Sequence, residues 1–224
     1  MAELENEGPH TMPRFVGFLS SLLQRVAESN DTPVRGGAGG LGPPHRHHLL
    51  HQQQQQQQKV TVFHGLTKPA ITVRSYLERI FTYANCSPSC YVVAYIYLDR
   101  FSQRQPLVTL NSLTVHRLLV TSIMVAAKFM DDVCYNNAYF AKVGGISTLE
   151  INFLERDFLF GLGFRLNVTP AAFQSYCSLL QREMCLECPA SPLRLHCFFF
   201  SDEEPPAHHH HHQQQQQHQR QLAV

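Results

Sequence analysis

Apolar side chains recur at intervals of three and four residues along most of this chain, which is the spacing of one face of an α-helix. The first such pattern follows Thr11, which can cap a helix, and Pro13, which suits a first helical turn. Its apolar stripe consists of Phe15, Phe18, Leu19, Leu22, Leu23 and Val26. We therefore predict an amphipathic helix over residues 11–29. This helix has to bury its stripe on its own domain or on a partner.

Residues 60–187 carry the same kind of pattern and form the predicted main domain. The continuously apolar stretch from Tyr91 to Leu98 would also suit a buried strand, but its length and the Ser87-Pro88 cap favour a helix. We predict an all-α fold without strands. The predicted helices cover residues 71–84, 88 to about 101, 111–130, 137–143, a segment that follows Ser147, and 170 to about 184.

Two of these helices carry additional signals. The 111–130 helix is apolar nearly all round from Leu118 onward, and a helix without a polar face belongs in the middle of a bundle. Ser147 and Glu150 have the spacing of a capping box, in which each side chain binds the other residue's backbone N–H. The helix that follows this box is expected to turn three side chains inward: Leu154, Phe158 and Leu162.

Three segments lack the apolar surface that a core requires. Residues 1–10 are polar, residues 30–59 contain paired glycines, paired prolines, a histidine cluster and a glutamine run, and residues 188–224 end in histidine and glutamine tracts. Such compositions cannot offset the entropy of ordering. We predict that all three are disordered, the second as a linker and the third as a tail.

Composition and charge exclude several classes of partner. The chain has 18 Lys and Arg against 17 Asp and Glu, a formal net charge of +1, and no basic cluster that would indicate a nucleic-acid partner. Charges interrupt each long apolar stretch before it reaches membrane-spanning length, so no membrane partner is expected. The acidic N-terminus is unlike a signal peptide. Seven cysteines, an odd number, favour a reducing compartment and hence an intracellular protein, nuclear and/or cytoplasmic.

The histidines and cysteines form no recognisable catalytic or metal site. His64 and His116 have no nucleophile or metal ligand at a working spacing, so we expect no catalytic residues, no cofactor and no small-molecule substrate. Cys185 and Cys188, followed by His196 and Cys197, match no standard zinc spacing. No metal site is therefore predicted. A metal-binding protein rich in His and Cys stays an alternative.

Four charged residues stand out because their surroundings are apolar. Lys128 lies near the end of the predicted central helix, and Glu155 lies on the helix after the capping box. Arg74 lies in an apolar stripe, and Asp99 lies near the end of its helix, where a carboxylate opposes the helix dipole. Breaking a buried ion pair typically costs about 3–5 kcal/mol. Each of these charges therefore needs a partner, in the domain or in a bound protein.

The segments around these charges resemble, in order along the chain, the marker segments of the cyclin box. The resemblance covers residues 11–29 and 60–187 and is closest to the plant cyclins called P-type or U-type, which are similar to the fungal phosphate-response cyclin. It implies a single five-helix cyclin box with an N-terminal and a C-terminal helix. The segments are Arg74-Ser-Tyr-Leu, Tyr97-Leu-Asp-Arg-Phe-Ser102, Ala126-Ala-Lys-Phe-Met-Asp-Asp132 and Leu154-Glu-Arg-Asp-Phe158, with Tyr135-Asn-Asn137 also similar to that subfamily.

The resemblance implies a role for each charge and a function for the chain. Arg74 and Asp99 match a structural ion pair between the first two box helices. Lys128 and Glu155 match a pair that binds backbone groups of a cyclin-dependent protein kinase, although an internal salt bridge would also explain them. The implied function is that of a non-enzymatic regulatory subunit that binds and activates such a kinase. Candidates for the apolar part of the kinase-facing surface are Phe129, Met130, Phe153 and Phe158.

Two further expectations concern regulation and a rival function. Thr32 and Ser191 precede prolines in predicted disorder and have an arginine three residues later, so they are candidate phosphorylation sites for a proline-directed kinase. The rival function is that of a cyclin-fold protein of the transcription-factor type. It would require a basic DNA-binding face, which the net charge opposes.

Overall fold

The computed structural model describes residues 11–31 and 60–187, and within these two ranges it contains helices and no strand. This confirms the all-α prediction. Of the segments predicted to be disordered, residues 1–10, 32–59 and 188–224 lie outside the described residues, whereas Asn30 and Asp31, which were assigned to the linker, belong to the first helix. The helices are α1 (Thr11–Asp31), α2 (Val73–Ala84), α3 (Pro88–Arg104), α4 (Val115–Met130), α5 (Asn137–Gly144), α6 (Thr148–Leu162) and α7 (Pro170–Glu187).

Short polar side chains cap several of the helices. Ser87, the cap predicted for α3, occupies the N-cap position but makes no side-chain cap hydrogen bond. The Thr72 hydroxyl accepts a hydrogen bond from the Ser75 N–H over 3.1 Å at the start of α2. The Ser147 hydroxyl accepts one from the Glu150 N–H over 3.0 Å at the start of α6, which is the Ser147 half of the predicted capping box. The Glu150 carboxylate binds Arg117 instead of the Ser147 N–H. At the end of α6, Gly163 has φ 61°, a left-handed conformation that glycine adopts without strain.

The start of α4 differs from the prediction of a helix over residues 111–130. The Asn111 side chain accepts the Leu113 N–H over 3.0 Å, and the Thr114 hydroxyl accepts the Asn111 N–H over 2.9 Å. These local bonds hold residues 111–114 in a turn, so the helix begins at Val115. An asparagine side chain that binds nearby backbone competes with helix formation in this way.

Helix α4 is the centre of the bundle, as its uniformly apolar sequence predicted. Every residue from Leu118 to Ala127 is buried, and α4 packs against α2, α3, α5 and α6. These five helices form the box, while α7 packs on α3. Close packing between α3 and α6 depends on Gly161, because a Cβ atom at this position would lie 2.2 Å from the ring of Phe101.

Helix α1 docks on its own domain. It packs against α2 and buries much of its apolar stripe, including Phe15 and Leu19. Its last turn is tied to the segment before α4, because the Asp31 carboxylate accepts the Ser112 N–H over 3.0 Å and also the Ser112 hydroxyl. Of the two docking positions that the sequence left open, the structure shows the intramolecular one.

Candidate functional site

Lys128 and Glu155, 27 positions apart in sequence, meet at the surface of the bundle. Lys128 lies in the last turn of α4, where the helix dipole favours a cation. Its Nζ atom lies 2.6 Å from Oε1 of Glu155 on α6. The side chains keep 31% and 19% of their surface accessible, so both are within reach of a partner. In the unbound chain the two groups thus form an ion pair with each other.

Two asparagines complete this polar cluster. Asn137, the first residue of α5, accepts a hydrogen bond from Lys128 Nζ through Oδ1. Its Nδ2 atom donates to Oε2 of Glu155 over 2.6 Å and lies 2.7 Å from Oδ1 of Asn152. We refer to Lys128, Asn137, Asn152 and Glu155 as the polar cluster. Sequence reasoning assigned no role to the asparagines, although the segment that ends in Asn137 contributed to the cyclin resemblance.

Each charged group in the cluster satisfies the other and has bonding capacity left over. The ammonium of Lys128 has three donors, of which the described contacts use two. The carboxylate of Glu155 has room for about four donors and accepts two. The arrangement therefore offers a donor and an acceptor side by side, which is what is needed to bind both polar groups of a foreign peptide backbone.

Three of the four predicted apolar side chains lie at the surface, and one does not. Phe129, Met130 and Phe153 are 48%, 37% and 41% exposed. Phe158 is fully buried, and its ring stacks on Phe101 with the centroids 4.8 Å apart. The assignment of Phe158 to a surface is therefore corrected, since the inward direction expected from the helical period is the one observed.

The structure does not bring Arg74 and Asp99 together. Arg74 is exposed and forms an ion pair one helical turn along α2, with its Nε atom 2.9 Å from Oε1 of Glu78. Asp99 accepts hydrogen bonds from the Tyr176 hydroxyl and from Gln103. The predicted structural ion pair is thus not formed, and Arg74 and Asp99 have separate partners.

A different arginine ties the box helices together. Arg117 of α4 reaches Glu150 of α6, with its Nη2 and Nε atoms 2.6 and 2.7 Å from Oε1. Both side chains are more than two thirds buried. Sequence reasoning used Glu150 only as half of the capping box, so this ion pair was not predicted.

The remaining candidates contribute no site in the described part of the chain. Among residues 11–31 and 60–187, no group of three or more His, Cys, Asp or Glu side chains could hold a metal ion. Of Cys185, Cys188, His196 and Cys197, only Cys185 falls within these ranges. The candidate phosphorylation sites Thr32 and Ser191 lie outside the described residues and stay predictions.

Comparison with known proteins gives this arrangement a family. The sequence model of the family described as Cyclin matches residues 14–166, which includes the whole polar cluster. The chain belongs to the cyclin family. It is 61% identical over 191 residues to Cyclin-U4-1 of Arabidopsis thaliana, with 85% of each chain covered. It is 57% identical over 194 residues to Cyclin-P4-1 of Oryza sativa subsp. japonica, again with 85% of each chain covered.

The family assignment agrees with the architecture and with the predicted subfamily. Another similar protein is Cyclin-U4-2 of Arabidopsis thaliana, 55% identical over 182 residues, with 81% of this chain and 76% of that one covered. Cyclins are regulatory proteins rather than enzymes, and a regulatory role follows for this cyclin. No helix in the described ranges is both long and apolar enough to cross a bilayer.

Proposed function

We propose that this cyclin binds a cyclin-dependent protein kinase through the polar cluster and activates it. The observation that carries the proposal is the meeting of Lys128 and Glu155 at an accessible surface, with exposed aromatic side chains nearby in sequence. Phe129 directly follows Lys128, Phe153 directly follows Asn152, and both rings are exposed. An ion pair that served only stability would not require exposed aromatic side chains beside it.

The polar cluster suits a kinase backbone because its bonds can be exchanged. On binding, the Lys128 ammonium donates to a kinase carbonyl and the Glu155 carboxylate accepts a kinase N–H. Asn137 and Asn152 keep the two groups in place before contact. The surrounding apolar side chains supply the hydrophobic contact. A stable complex of this kind buries roughly 1,600 Å² in total.

Activation follows from a difference in affinity between two kinase states. A cyclin that binds the kinase with its regulatory helix turned inward stabilises the state in which the kinase's own lysine–glutamate pair is formed. The shift of the kinase population equals the ratio of the two affinities. The kinase alone performs the phosphoryl transfer, and the cyclin contributes no catalytic group.

The proposal is tested by comparing two double variants on the same scaffold. The first is Lys128→Ala with Glu155→Ala. The matched control is Arg74→Ala with Glu78→Ala, which removes an exposed ion pair of α2 outside the polar cluster. Dissociation constants are measured by calorimetry against a panel of purified cyclin-dependent kinases. The cluster variant should lose at least tenfold in affinity while the control binds normally, and equal binding by both would refute the proposed interface.

A further inference from the structure

Asp131 links the end of α4 to the start of α3. It is the first residue after α4, where its backbone N–H donates to the carbonyl of Ala127 over 2.9 Å. Its side chain turns to the other helix, where Oδ2 accepts the N–H of Ser87 over 3.0 Å and the thiol of Cys90 over 3.3 Å. Ser87 is the N-cap residue of α3, and Cys90 lies in the first turn of that helix. One carboxylate oxygen therefore joins two helix ends.

The two helix ends respond in opposite ways to a negative charge. A carboxylate directly after α4 is unfavourable for α4 itself, because the carbonyl end of a helix carries partial negative charge. At the start of α3 the same carboxylate is favourable, because the N–H end of a helix carries partial positive charge. The first turn of α3 contains no acidic residue, and the Ser87 side chain makes no cap hydrogen bond. Asp131 thus supplies from the end of α4 the acceptor that α3 lacks.

The thiol of Cys90 suits this contact. Cys90 is fully buried, and burial raises the pKa of its thiol to about 12. The sulfur therefore keeps its proton and donates it to the Asp131 carboxylate. Because Cys90 has no accessible surface, a bound protein cannot touch it. A substitution at Cys90 can alter binding only through the residues packed against it.

The last turn of α4 carries three residues assigned to the kinase-facing surface. They are Lys128, Phe129 and Met130, and they directly precede Asp131. The last carbonyls of a helix have no partner within it, and helix ends open locally at low cost in free energy. Phe129 and Met130 are exposed, so burial contributes little to holding this turn. The described side-chain contacts that hold it are those of Lys128 in the polar cluster and those of Asp131 with α3.

We propose that Asp131 is a positioning residue of the kinase site, because its bonds to α3 keep the last turn of α4 helical and oriented before the kinase binds. Since the site is the one proposed above, this role rests on the proposed function. A segment that is ordered before contact loses less conformational entropy on binding, which raises affinity. Without the Asp131 carboxylate the turn frays in the unbound cyclin, and the kinase has to bind a less populated conformation. Asp131 acts through the three residues before it rather than by touching the kinase.

Hydrogen exchange on the unbound cyclin tests this role without a kinase. Amide exchange rates are measured by NMR for the wild type, Asp131→Ala, Asp131→Asn and the matched control Thr72→Ala. Thr72 caps α2 by accepting the Ser75 N–H over 3.1 Å, so the control should lower the melting temperature by about 2–4 °C. In Asp131→Ala the amides of Phe129 and Met130 should exchange at least about tenfold faster. They should exchange at most about threefold faster in Asp131→Asn, which keeps an acceptor oxygen, and at the wild-type rate in the control.

Kinase affinity is then measured on the same variants, with a cyclin-dependent kinase that the wild type binds and that loses affinity for Lys128→Ala with Glu155→Ala. Asp131→Ala should weaken binding about tenfold, Asp131→Asn less than about threefold, and Thr72→Ala not at all. A double-mutant cycle with Cys90→Ala separates positioning from direct contact with the kinase. Cys90→Ala alone should weaken binding roughly twofold to threefold. It should add nothing to the loss caused by Asp131→Ala, because both substitutions remove the same hydrogen bond.

Three results would overturn the positioning role and leave the proposed function standing. One is wild-type exchange of the Phe129 and Met130 amides in a folded Asp131→Ala variant. Another is faster exchange in that variant with unchanged kinase affinity. The third is an additive loss of affinity from Asp131→Ala and Cys90→Ala, which would mean that Asp131 contacts the kinase itself. If the wild type binds no kinase, the proposed function fails and the positioning role fails with it. Melting curves identify folded variants, and Asp131→Ser, whose shorter side chain cannot reach α3, replaces Asp131→Ala if that variant does not fold.

Discussion

The side-chain amide of Asn137 lies 2.6 Å from Oε2 of Glu155, and it donates to the oxygen that Lys128 leaves unused. The same asparagine accepts a hydrogen bond from Lys128 through its Oδ1 atom. A single residue at the start of α5 therefore contacts both charges of the proposed kinase site. The relative position of Lys128 and Glu155 depends on three helices rather than two.

We expect Asn137→Ala to weaken kinase binding by about tenfold, which corresponds to the net contribution of one or two hydrogen bonds to charged groups. The melting temperature should change little because the cluster is partly exposed. Asn136→Ala is the matched control, since Asn136 caps α5 through the Tyr139 N–H and has no described contact with either charge. The control should lower stability by about 1 kcal/mol and leave kinase affinity intact. The reverse pattern would contradict the role given to Asn137.

Two arginine ion pairs of the box, Arg74 with Glu78 and Arg117 with Glu150, should contribute unequally to stability. Arg74→Ala should change the free energy of unfolding by less than about 0.5 kcal/mol, because the pair with Glu78 is exposed and lies within one helix. Arg117→Ala should cost about 1.5–3 kcal/mol, because it leaves the partly buried Glu150 without its partner between α4 and α6. Urea unfolding of both variants measures the difference. A larger loss of unfolding free energy for Arg74→Ala than for Arg117→Ala would contradict this ranking of the two ion pairs.

Two phenylalanines near the end of α6, one buried and one exposed, should differ in their contribution to stability. Phe158→Ala should destabilise the cyclin by about 3–5 kcal/mol, since its ring is fully buried against Phe101. Phe160→Ala should cost less than about 1 kcal/mol, because Phe160 is 66% exposed. Thermal unfolding monitored by circular dichroism distinguishes the two. Similar losses for both variants would show that the helix faces are misassigned.

His116 should make stability depend on pH. Burial lowers the pKa of its imidazole below the ordinary value, the nearby charge of Arg117 acts in the same direction, and a hydrogen bond to the Ile71 carbonyl opposes both. Because the unfolded chain takes up a proton near pH 6.5 and the folded chain only at lower pH, stability should fall as pH decreases below about 6.5. The slope from this group is at most about 1.4 kcal/mol per pH unit.

The control for this pH dependence is His116→Gln, which keeps a donor but cannot titrate. Unfolding free energies of the wild type and the variant are measured between pH 7.5 and 5. The difference between the two free energies at each pH gives the contribution of His116, because the other titratable groups are the same in both proteins. A difference that does not change with pH would show that the imidazole titrates alike in the folded and unfolded states.

The helices could be predicted from the sequence because the causes of helix formation are local. The capping box at Ser147 and the uniformly apolar helix from Leu118 onward needed no knowledge of the fold. The start of α4 was missed because the Asn111 side chain competes with the helix for backbone N–H groups. Such competition is visible in sequence only as a preference.

Long-range contacts were predicted less well, and for a physical reason. The meeting of Lys128 and Glu155 was expected from resemblance to the cyclin box, whereas the position of Asn137 between them depends on how α5 enters the bundle. The same resemblance suggested a pair between Arg74 and Asp99, but Glu78 lies one turn from Arg74 on the same helix and engages it. For an exposed arginine, a partner on its own helix requires less ordering than a distant one.

Kinase activity is the most direct test of the central claim. A cyclin-dependent kinase that binds the wild-type cyclin is assayed on a generic serine/threonine peptide with no cyclin, with the wild type, with the Lys128→Ala, Glu155→Ala variant, and with the Arg74→Ala, Glu78→Ala variant. Each cyclin is added at the concentration at which the wild type saturates the kinase. The wild type and the second variant should stimulate phosphate transfer strongly, while the first should leave the kinase near its basal rate. The proposed function would be contradicted if the Lys128→Ala, Glu155→Ala variant stimulated the kinase fully. It would also be contradicted if the wild-type cyclin bound the kinase without stimulating it.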